Sequence, residues 1–351
     1  MSAEFTGVIE RYAQLLPVSA ATPRITLGEG GTPCIESRAI GRSLGLSSLH
    51  FKLEGLNPTG SFKDRGMVVA MAKALEAGSV AVICASTGNT SASAAAYGAR
   101  FGLRVGVVVP RGGVAAGKLL QAQVHGAVVI AVEGTFDAAL RCVREVAADT
   151  DVVVVNSVNP HRLEGQKTAA FEIVDALGDA PEVCAMPVGN AGNITAYWRG
   201  FREYHAAGYA TRLPRMVGGQ AEGAAPLVVG RVVDQPRTVA SAIRIGNPAS
   251  WQTAIDARDA SEGLIDSVSD DAILDAQSAL ATEEGIFCEP ASAAALAVLQ
   301  KAVHDGAVAR GTSAVCILTG NGLKDTESPR IAAAPVTVPA HAAAVAAALG
   351  L

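Results

Sequence analysis

The chain has 351 residues, half of them hydrophobic, and carries 28 Lys and Arg against 33 Asp and Glu, for a formal net charge of −5. The apolar fraction excludes a disordered chain, and the length suits about two domains. A mild negative charge without a basic block argues against nucleic acid or an anionic membrane as the main partner. Small metabolites remain as the expected ligands.

The cysteines and the N-terminal residues indicate a cytoplasmic protein. Six cysteines are scattered without a CxxC pair, which favours free, buried thiols over a disulfide framework. The N-terminal stretch contains Glu4 and Glu10 and has no uninterrupted apolar core, so we expect no signal peptide. The sequence has no closely spaced His and Cys set of the kind that binds metals, and we expect no metal.

Short runs rich in β-branched residues alternate with amphipathic stretches. The apolar residues in these runs are continuous, which is typical of strands buried on both faces of a parallel sheet. Strands are predicted over residues 49–53, 80–85, 105–109, 128–132, 151–156, 183–188 and 314–318. Helices are predicted over 64–77, 92–101, 136–148, 165–177, 194–207, 270–284 and 291–305. This alternation predicts an α/β fold of the doubly wound type.

The C-terminal residues 331–351 form a separate, uncharged segment. The segment is mostly alanine and is interrupted by Pro335 and Pro339, so it is too weakly apolar to span a membrane. We expect a helical or frayed tail.

Glycine and small polar residues gather directly after three of the predicted strands, in loops 86–90, 189–193 and 319–322. Ligands of open parallel sheets bind beyond the carboxyl ends of the strands, so these loops are candidates for one site. Each loop could also be no more than a tight turn that needs positive φ. The second loop has a bare backbone and leads into a helix, a combination that favours phosphate binding.

Lys63 lies in the run KLEGLNPTGSFKDRG, residues 52–66. Ser61 is predicted to cap a helix, with Asp64 as the acidic partner of a capping box, which puts Lys63 at the second helical position. The helix dipole and the like charge of Arg65 both lower the pKa of a lysine at this position. A lysine with a low pKa readily forms a Schiff base, although a solvated surface lysine is the alternative.

Four runs together, KLEGLNPTGSFKDRG, ASTGNTSAS, PVGNAGN and LTGNGLKD, resemble the pyridoxal-phosphate enzymes of the tryptophan-synthase-β fold type (fold type II), and within them the threonine synthases. The resemblance extends from Gly28 to Asp325. It implies two open, mostly parallel twisted sheets covered by helices. A smaller domain, residues 51–157, would be inserted into a larger one formed by 1–50 and 158–330, and the enzyme would be a homodimer whose cleft closes on substrate.

The resemblance also implies roles for the loop residues. Lys63 would carry pyridoxal 5′-phosphate through a Schiff base, Asn89 would bond the 3′-oxygen of the ring, and Thr319 would face the pyridine nitrogen. A neutral hydroxyl there does not enforce a protonated pyridinium, so it tunes the electron sink differently from an aspartate. The cofactor phosphate would be held by Gly189, Asn190, Ala191, Gly192 and Asn193.

The reaction implied is the conversion of O-phospho-L-homoserine and water to L-threonine and phosphate, by γ-elimination and β-addition of water. Lys63 would be the main acid–base group. Arg162 would bind the substrate phosphate, although a surface salt bridge is its alternative role. The other substrate-binding candidates are Asn156, Ser157 and Lys52 for the phosphate and Ser86, Thr87 and Thr90 for the carboxylate.

Two other functions are consistent with parts of the sequence. A sister lyase of the same fold, such as a threonine or serine dehydratase or a cysteine synthase, would share the lysine and the loops. Dehydratases typically have a run of glycines in the phosphate loop and cysteine synthases a GTGGT-like loop, whereas this chain has GNAGN. A non-catalytic protein that binds the cofactor or another phosphorylated metabolite is the third possibility, but it would not need a displaceable lysine.

Overall fold

The computed structural model describes residues 6–111, 116–134, 136–326, 330 and 335–351. The strands in these ranges are β1 Cys34–Glu36, β2 Ser48–Leu53, β3 Ala81–Ala85, β4 Arg104–Pro110, β5 Val128–Val132, β6 Val153–Val154, β7 Val183–Pro187, β8 Arg215–Ala221, β9 Leu264–Val268 and β10 Ser313–Leu318. The helices are α1 Val8–Arg11, α2 Ile40–Ser43, α3 Lys63–Glu76, α4 Asn89–Phe101, α5 Ala116–Val124, α6 Phe136–Asp149, α7 Pro160–Leu177, α8 Gly192–Ala206, α9 Pro226–Val229, α10 Trp251–Ala260, α11 Asp270–Glu283, α12 Pro290–His304 and α13 Ala342–Ala348.

The strands form two separate sheets. The six-stranded sheet has the order β1-β2-β10-β7-β8-β9, and the four-stranded sheet has the order β5-β4-β3-β6. Every neighbouring pair is parallel except β1 and β2, which are antiparallel. The predicted α/β class with open, mostly parallel sheets is therefore confirmed.

Small side chains let the helices approach the sheets closely. Helix α12 is buried from Pro290 to Leu299, where five alanines form much of its surface. Gly219 of β8 lies directly under this helix, because a methyl group there would come within 2.6 Å of the carbonyl oxygen of Ala294. The fit of α12 on the sheet depends on these small residues, since interiors pack at crystal-like density.

The seven predicted strands and seven predicted helices are present, with shifted ends. The run at 151–156 forms only the two-residue strand β6, because the side chain of Asn156 takes over pairing with the backbone of Ala85. Strands β1, β8 and β9 were not predicted. Glycine weakens the strand signal of β8, whose sequence is RMVGGQA. These glycines are explained only by tertiary packing, Gly219 against α12 and Gly218 against Val188, Ile265 and Ile194.

Two further sequence predictions concern the domain boundary at residue 51 and the C-terminal tail. Strand β2 contains residue 51 and pairs in the six-stranded sheet, so the proposed boundary at 51 falls inside a strand; the inserted domain 51–157 stays a prediction. In the tail, residues 331–334 lie outside the described residues, and α13 is exposed. None of the helices in the described ranges is long and apolar enough to cross a membrane.

Candidate active site

A cavity of about 770 Å³ lies at the carboxyl ends of β3, β7 and β10. The N-terminal ends of α3, α4 and α8 meet there, so backbone N–H groups face the cavity. Its walls contain most of the residues that the sequence singled out: Lys63, Ser86, Thr87, Asn89, Thr90, Asn156, Ser157, Gly189, Asn190, Ala191, Gly192, Asn193 and Thr319. The structure thus brings the three glycine-rich loops and the lysine to one place.

Helix α3 begins at Lys63 itself, with Phe62 at the N-cap position, so the predicted cap at Ser61 is wrong. Ser61 is held in an isolated β-bridge to Gly320, which delays the start of the helix. Asp64 does not complete a capping box; its carboxylate accepts hydrogen bonds from the N–H and hydroxyl of Thr59 at 2.7 and 2.6 Å. Lys63 therefore follows a turn that is held in place by the bridge between Ser61 and Gly320 and by the hydrogen bonds between Thr59 and Asp64.

The pKa of Lys63 is lowered to about 7, mainly because the ammonium is removed from water and secondarily because Arg162 lies nearby; Glu289 acts in the opposite direction. The lowered pKa was predicted, but the charge responsible is different. Arg65, which the sequence suggested, points away and is neutralised by Glu54 and Glu172. A lysine that is half neutral near pH 7 is a nucleophile at physiological pH.

A fully buried ion network anchors α3 behind the cavity. Arg65 donates from Nε to Glu54 and from Nη1 to Glu172, both at 2.6 Å. Lys52 joins the same network through Glu172, at 2.7 Å, and through the carbonyl oxygen of Thr32. The structure therefore does not bring Lys52 to the cavity, and its predicted contact with substrate phosphate is not available in this conformation.

Arg162 is buried at 1% exposure and does not line the cavity. One guanidinium nitrogen donates to the carbonyl oxygen of Val155 at 2.7 Å, whereas Nε has no hydrogen-bond partner in the described part of the chain. Burial lowers the pKa of Arg162 to about 10. The negative charge of Asp64 offsets part of the cost of burying this cation, and the unused Nε donor favours a further anion close to this group when the site is in use.

The loop 189–193 has the features of an anion cradle. Ala191 adopts φ 65°, which turns the chain into α8 and is uncommon for a residue with a side chain. Both polar side-chain atoms of Asn193 are buried without a partner among the described residues. Unsatisfied buried donors at the positive end of a helix fit a phosphate group, so the residues present suit the phosphate of pyridoxal phosphate.

The hydroxyl and amide groups around the cavity are already oriented by hydrogen bonds. Ser86 Oγ accepts from the N–H groups of Gly88 and Ser91, each at 3.3 Å, which shapes the loop at the start of α4. The amide of Asn190 donates to Ser157, so the phosphate loop and the segment at 156–162 are in contact.

Sequence reasoning missed several cavity residues. Glu289 lines the cavity and is buried against Asn89, whereas Ser292 does not line the cavity but bonds the hydroxyl of Thr319 at 2.8 Å. Lys324 donates to the carbonyl oxygen of Thr59 at 2.8 Å and to Gln121 at 2.7 Å. The available signal for Glu289 was its place directly before the proline that starts an alanine-rich helix, but the sequence pattern predicts only the helix over 291–305 and no role for Glu289.

Comparison with known proteins identifies the class. A family model described as "Pyridoxal-phosphate dependent enzyme" matches residues 25–320. The chain belongs to this family of pyridoxal-phosphate-dependent enzymes, in agreement with the lysine, the helix N-termini and the anion cradle at the cavity.

The most informative relatives are threonine synthases. That of Halalkalibacterium halodurans is 56% identical over 322 residues, 92% of this chain and 90% of its own. That of Mycobacterium tuberculosis is 55% identical over 336 residues, covering 94% and 93%. That of Synechocystis is 58% identical over 322 residues, covering 92% and 84%.

Solved structures support the fold alone. Maize serine racemase superposes with a TM-score of 0.70 at 21% identity, covering 92% of this chain and 94% of its own. The processed form of threonine deaminase isoform 2 from Solanum lycopersicum has a TM-score of 0.70 at 23% identity, covering 83% and 79%.

Proposed function

We propose that this protein is a threonine synthase that converts O-phospho-L-homoserine and water to L-threonine and phosphate. The observation that carries the proposal is the 55–58% identity to threonine synthases over more than nine-tenths of the chain. The cavity supports it because it offers a reactive lysine beside separate anion-binding loops.

Lys63 is proposed to hold pyridoxal phosphate covalently. Gly189, Asn190, Ala191, Gly192 and Asn193 would bind its phosphate, Asn89 its 3′-oxygen, and Thr319 would face its ring nitrogen. When bound, the cofactor supplies an electron sink for charge that develops on the substrate. The unpartnered amide of Asn193 and the hydroxyl of Thr319, oriented by Ser292, support this placement.

Lys63 is also proposed to be the acid–base group. Once the substrate amine has displaced it, its amine would take the proton from Cα and would then move protons at Cβ and Cγ while phosphate leaves and water adds. Its pKa of about 7 suits this acid–base role, because a group that both takes and returns protons acts best with a pKa near the working pH.

Arg162, Ser157 and Asn156 are proposed to bind the substrate phosphate, which needs an anion site separate from that of the cofactor. The free Nε of Arg162 supports the proposal, and so does the bond between Ser157 and Asn190. Arg162 is covered in the present conformation, so contact requires the cleft to rearrange around substrate. The substrate carboxylate would be bound by the N-terminus of α4 with Ser86, Thr87 and Thr90.

The proposal is tested by supplying the purified, cofactor-loaded protein with O-phospho-L-homoserine and measuring phosphate and threonine in the same sample. Equal amounts of the two products are expected. A 2-oxo acid formed from threonine or serine, with no threonine from the phosphorylated substrate, would indicate a dehydratase instead. Lys63→Ala should abolish turnover and the borohydride-trappable bond to the cofactor, whereas Lys73→Ala on the same helix should retain both.

We further propose that the enzyme is a homodimer in the cytoplasm and that the segment 51–157 moves as a domain when substrate binds. Light scattering coupled to size-exclusion chromatography would give the mass of the assembly, for comparison with the 35.6 kDa chain. Hydrogen exchange with and without a substrate analogue would test closure, and unchanged protection around the cavity would contradict it.

A further inference from the structure

We propose that Glu289 is a positioning residue for the cofactor. Its carboxylate fixes the orientation of the Asn89 amide, so that one N–H of Asn89 stays directed at the 3′-oxygen of pyridoxal phosphate. This inference rests on the role proposed above for Asn89.

The geometry joins two distant parts of the chain. Asn89 is the first residue of α4, which follows a strand of the four-stranded sheet, and Glu289 immediately precedes α12 on the six-stranded sheet. The Asn89 Nδ2 atom lies 3.1 Å from each carboxylate oxygen of Glu289. Both side chains line the cavity, and Glu289 is only 4% exposed.

The chemistry of the pair determines which way the amide faces. An ionised carboxylate only accepts hydrogen bonds, so Asn89 must present its nitrogen to Glu289 and turn its oxygen away. Because the two carboxylate oxygens are equally distant from Nδ2, one amide hydrogen can serve both. The second hydrogen is left for another acceptor, as a bond to the cofactor oxygen requires.

Burial raises the pKa of the Glu289 carboxyl, and the negative charge of Asp325 acts in the same direction. The hydrogen bond from Asn89 and the positive charges of Lys324 and Lys63 oppose this shift and stabilise the ionised form. Room for the group exists because residue 320 is glycine: a methyl group at Gly320 would lie 2.4 Å from Oε1 of Glu289 and 2.5 Å from its Cδ. Gly320 is therefore part of the same arrangement.

The test uses the cofactor-loaded protein without substrate. Glu289→Gln removes the charge, so the side chain no longer dictates the orientation of Asn89, and Gly320→Ala displaces the carboxylate from the other side. Each should weaken pyridoxal-phosphate binding about tenfold and change the visible absorption of the Lys63-bound cofactor. Glu283→Gln, which removes the same charge from an exposed site on α11, is the control and should change neither.

A double-mutant cycle separates positioning from an independent effect. If Glu289 acts through Asn89, adding Glu289→Gln to Asn89→Ala should cost nothing further in affinity. Additive losses would overturn the proposal, and so would wild-type affinity and spectrum in Glu289→Gln. These readouts need no substrate, so a wild-type protein that binds the cofactor through Lys63 but makes no threonine would contradict the proposed function alone.

Discussion

Lys63 is expected to destabilise the cofactor-free fold whenever it is protonated. Its side chain is withdrawn from water, and Arg162 adds like charge, so folding disfavours the ammonium form. Replacing it with methionine keeps most of the length of the side chain and removes the charge. We therefore expect Lys63→Met to unfold at a higher temperature than the wild-type protein at pH 6, even though it would lose the covalent bond to the cofactor that we propose for Lys63.

The size of the effect follows from the pKa. Lowering it from 10.5 to about 7 corresponds to about 5 kcal/mol, and solvent in the open cavity reduces this to roughly 2–3 kcal/mol. The penalty is full below pH 7, where both the folded and the unfolded chain hold the proton. Between pH 7 and 10.5 the folded chain has lost the proton and the unfolded chain keeps it, so the penalty fades as pH rises.

Urea unfolding of the cofactor-free proteins at pH 6, 8 and 10 would measure the difference. The advantage of Lys63→Met should be largest at pH 6 and nearly absent at pH 10. The control is Lys73→Met, which removes an ion pair with Glu76 on the same helix and should give no gain at pH 6. A variant no more stable than the wild type at pH 6, or an advantage that does not change with pH, would refute the reasoning.

Three further predictions concern residues that support or shape the cavity. Arg65→Met leaves Glu54 and Glu172 buried with an unbalanced charge and should lower the free energy of unfolding by about 3–5 kcal/mol in urea; a loss below 1 kcal/mol would contradict it. Gly165→Ala places a methyl group 1.9 Å from the carbonyl oxygen of Arg65, so α3 and α7 must separate, and we expect a loss of about 3 kcal/mol. An unchanged melting temperature would show that the helices are not so closely packed. Ala191→Gly should raise stability by about 0.5 kcal/mol, because relief of the left-handed backbone outweighs the added freedom of the unfolded chain; a loss on thermal unfolding would disagree.

The sequence was informative where structure follows from local pattern. Continuous apolar runs identified the buried parallel strands, and the small residues after them identified the loops that line the cavity. Ser61 was misassigned as a helix cap because its bridge to Gly320 joins segments more than 250 residues apart. Strand β8 was missed for a similar reason, since Gly219 is explained only by the close approach of α12, which is distant in sequence.

By itself the sequence determined the α/β class and pointed to the lysine and the loops that line the cavity, because those depend on residue type and near neighbours. The tertiary structure decided which charges act on Lys63: Arg65 is neutralised by Glu54 and Glu172, and Arg162 is the cation that remains close. It also placed Lys52 in a buried ion pair with Glu172, away from the cavity. Each of these outcomes depends on which distant side chains share a buried, weakly screened space, and spacing along the chain does not encode that.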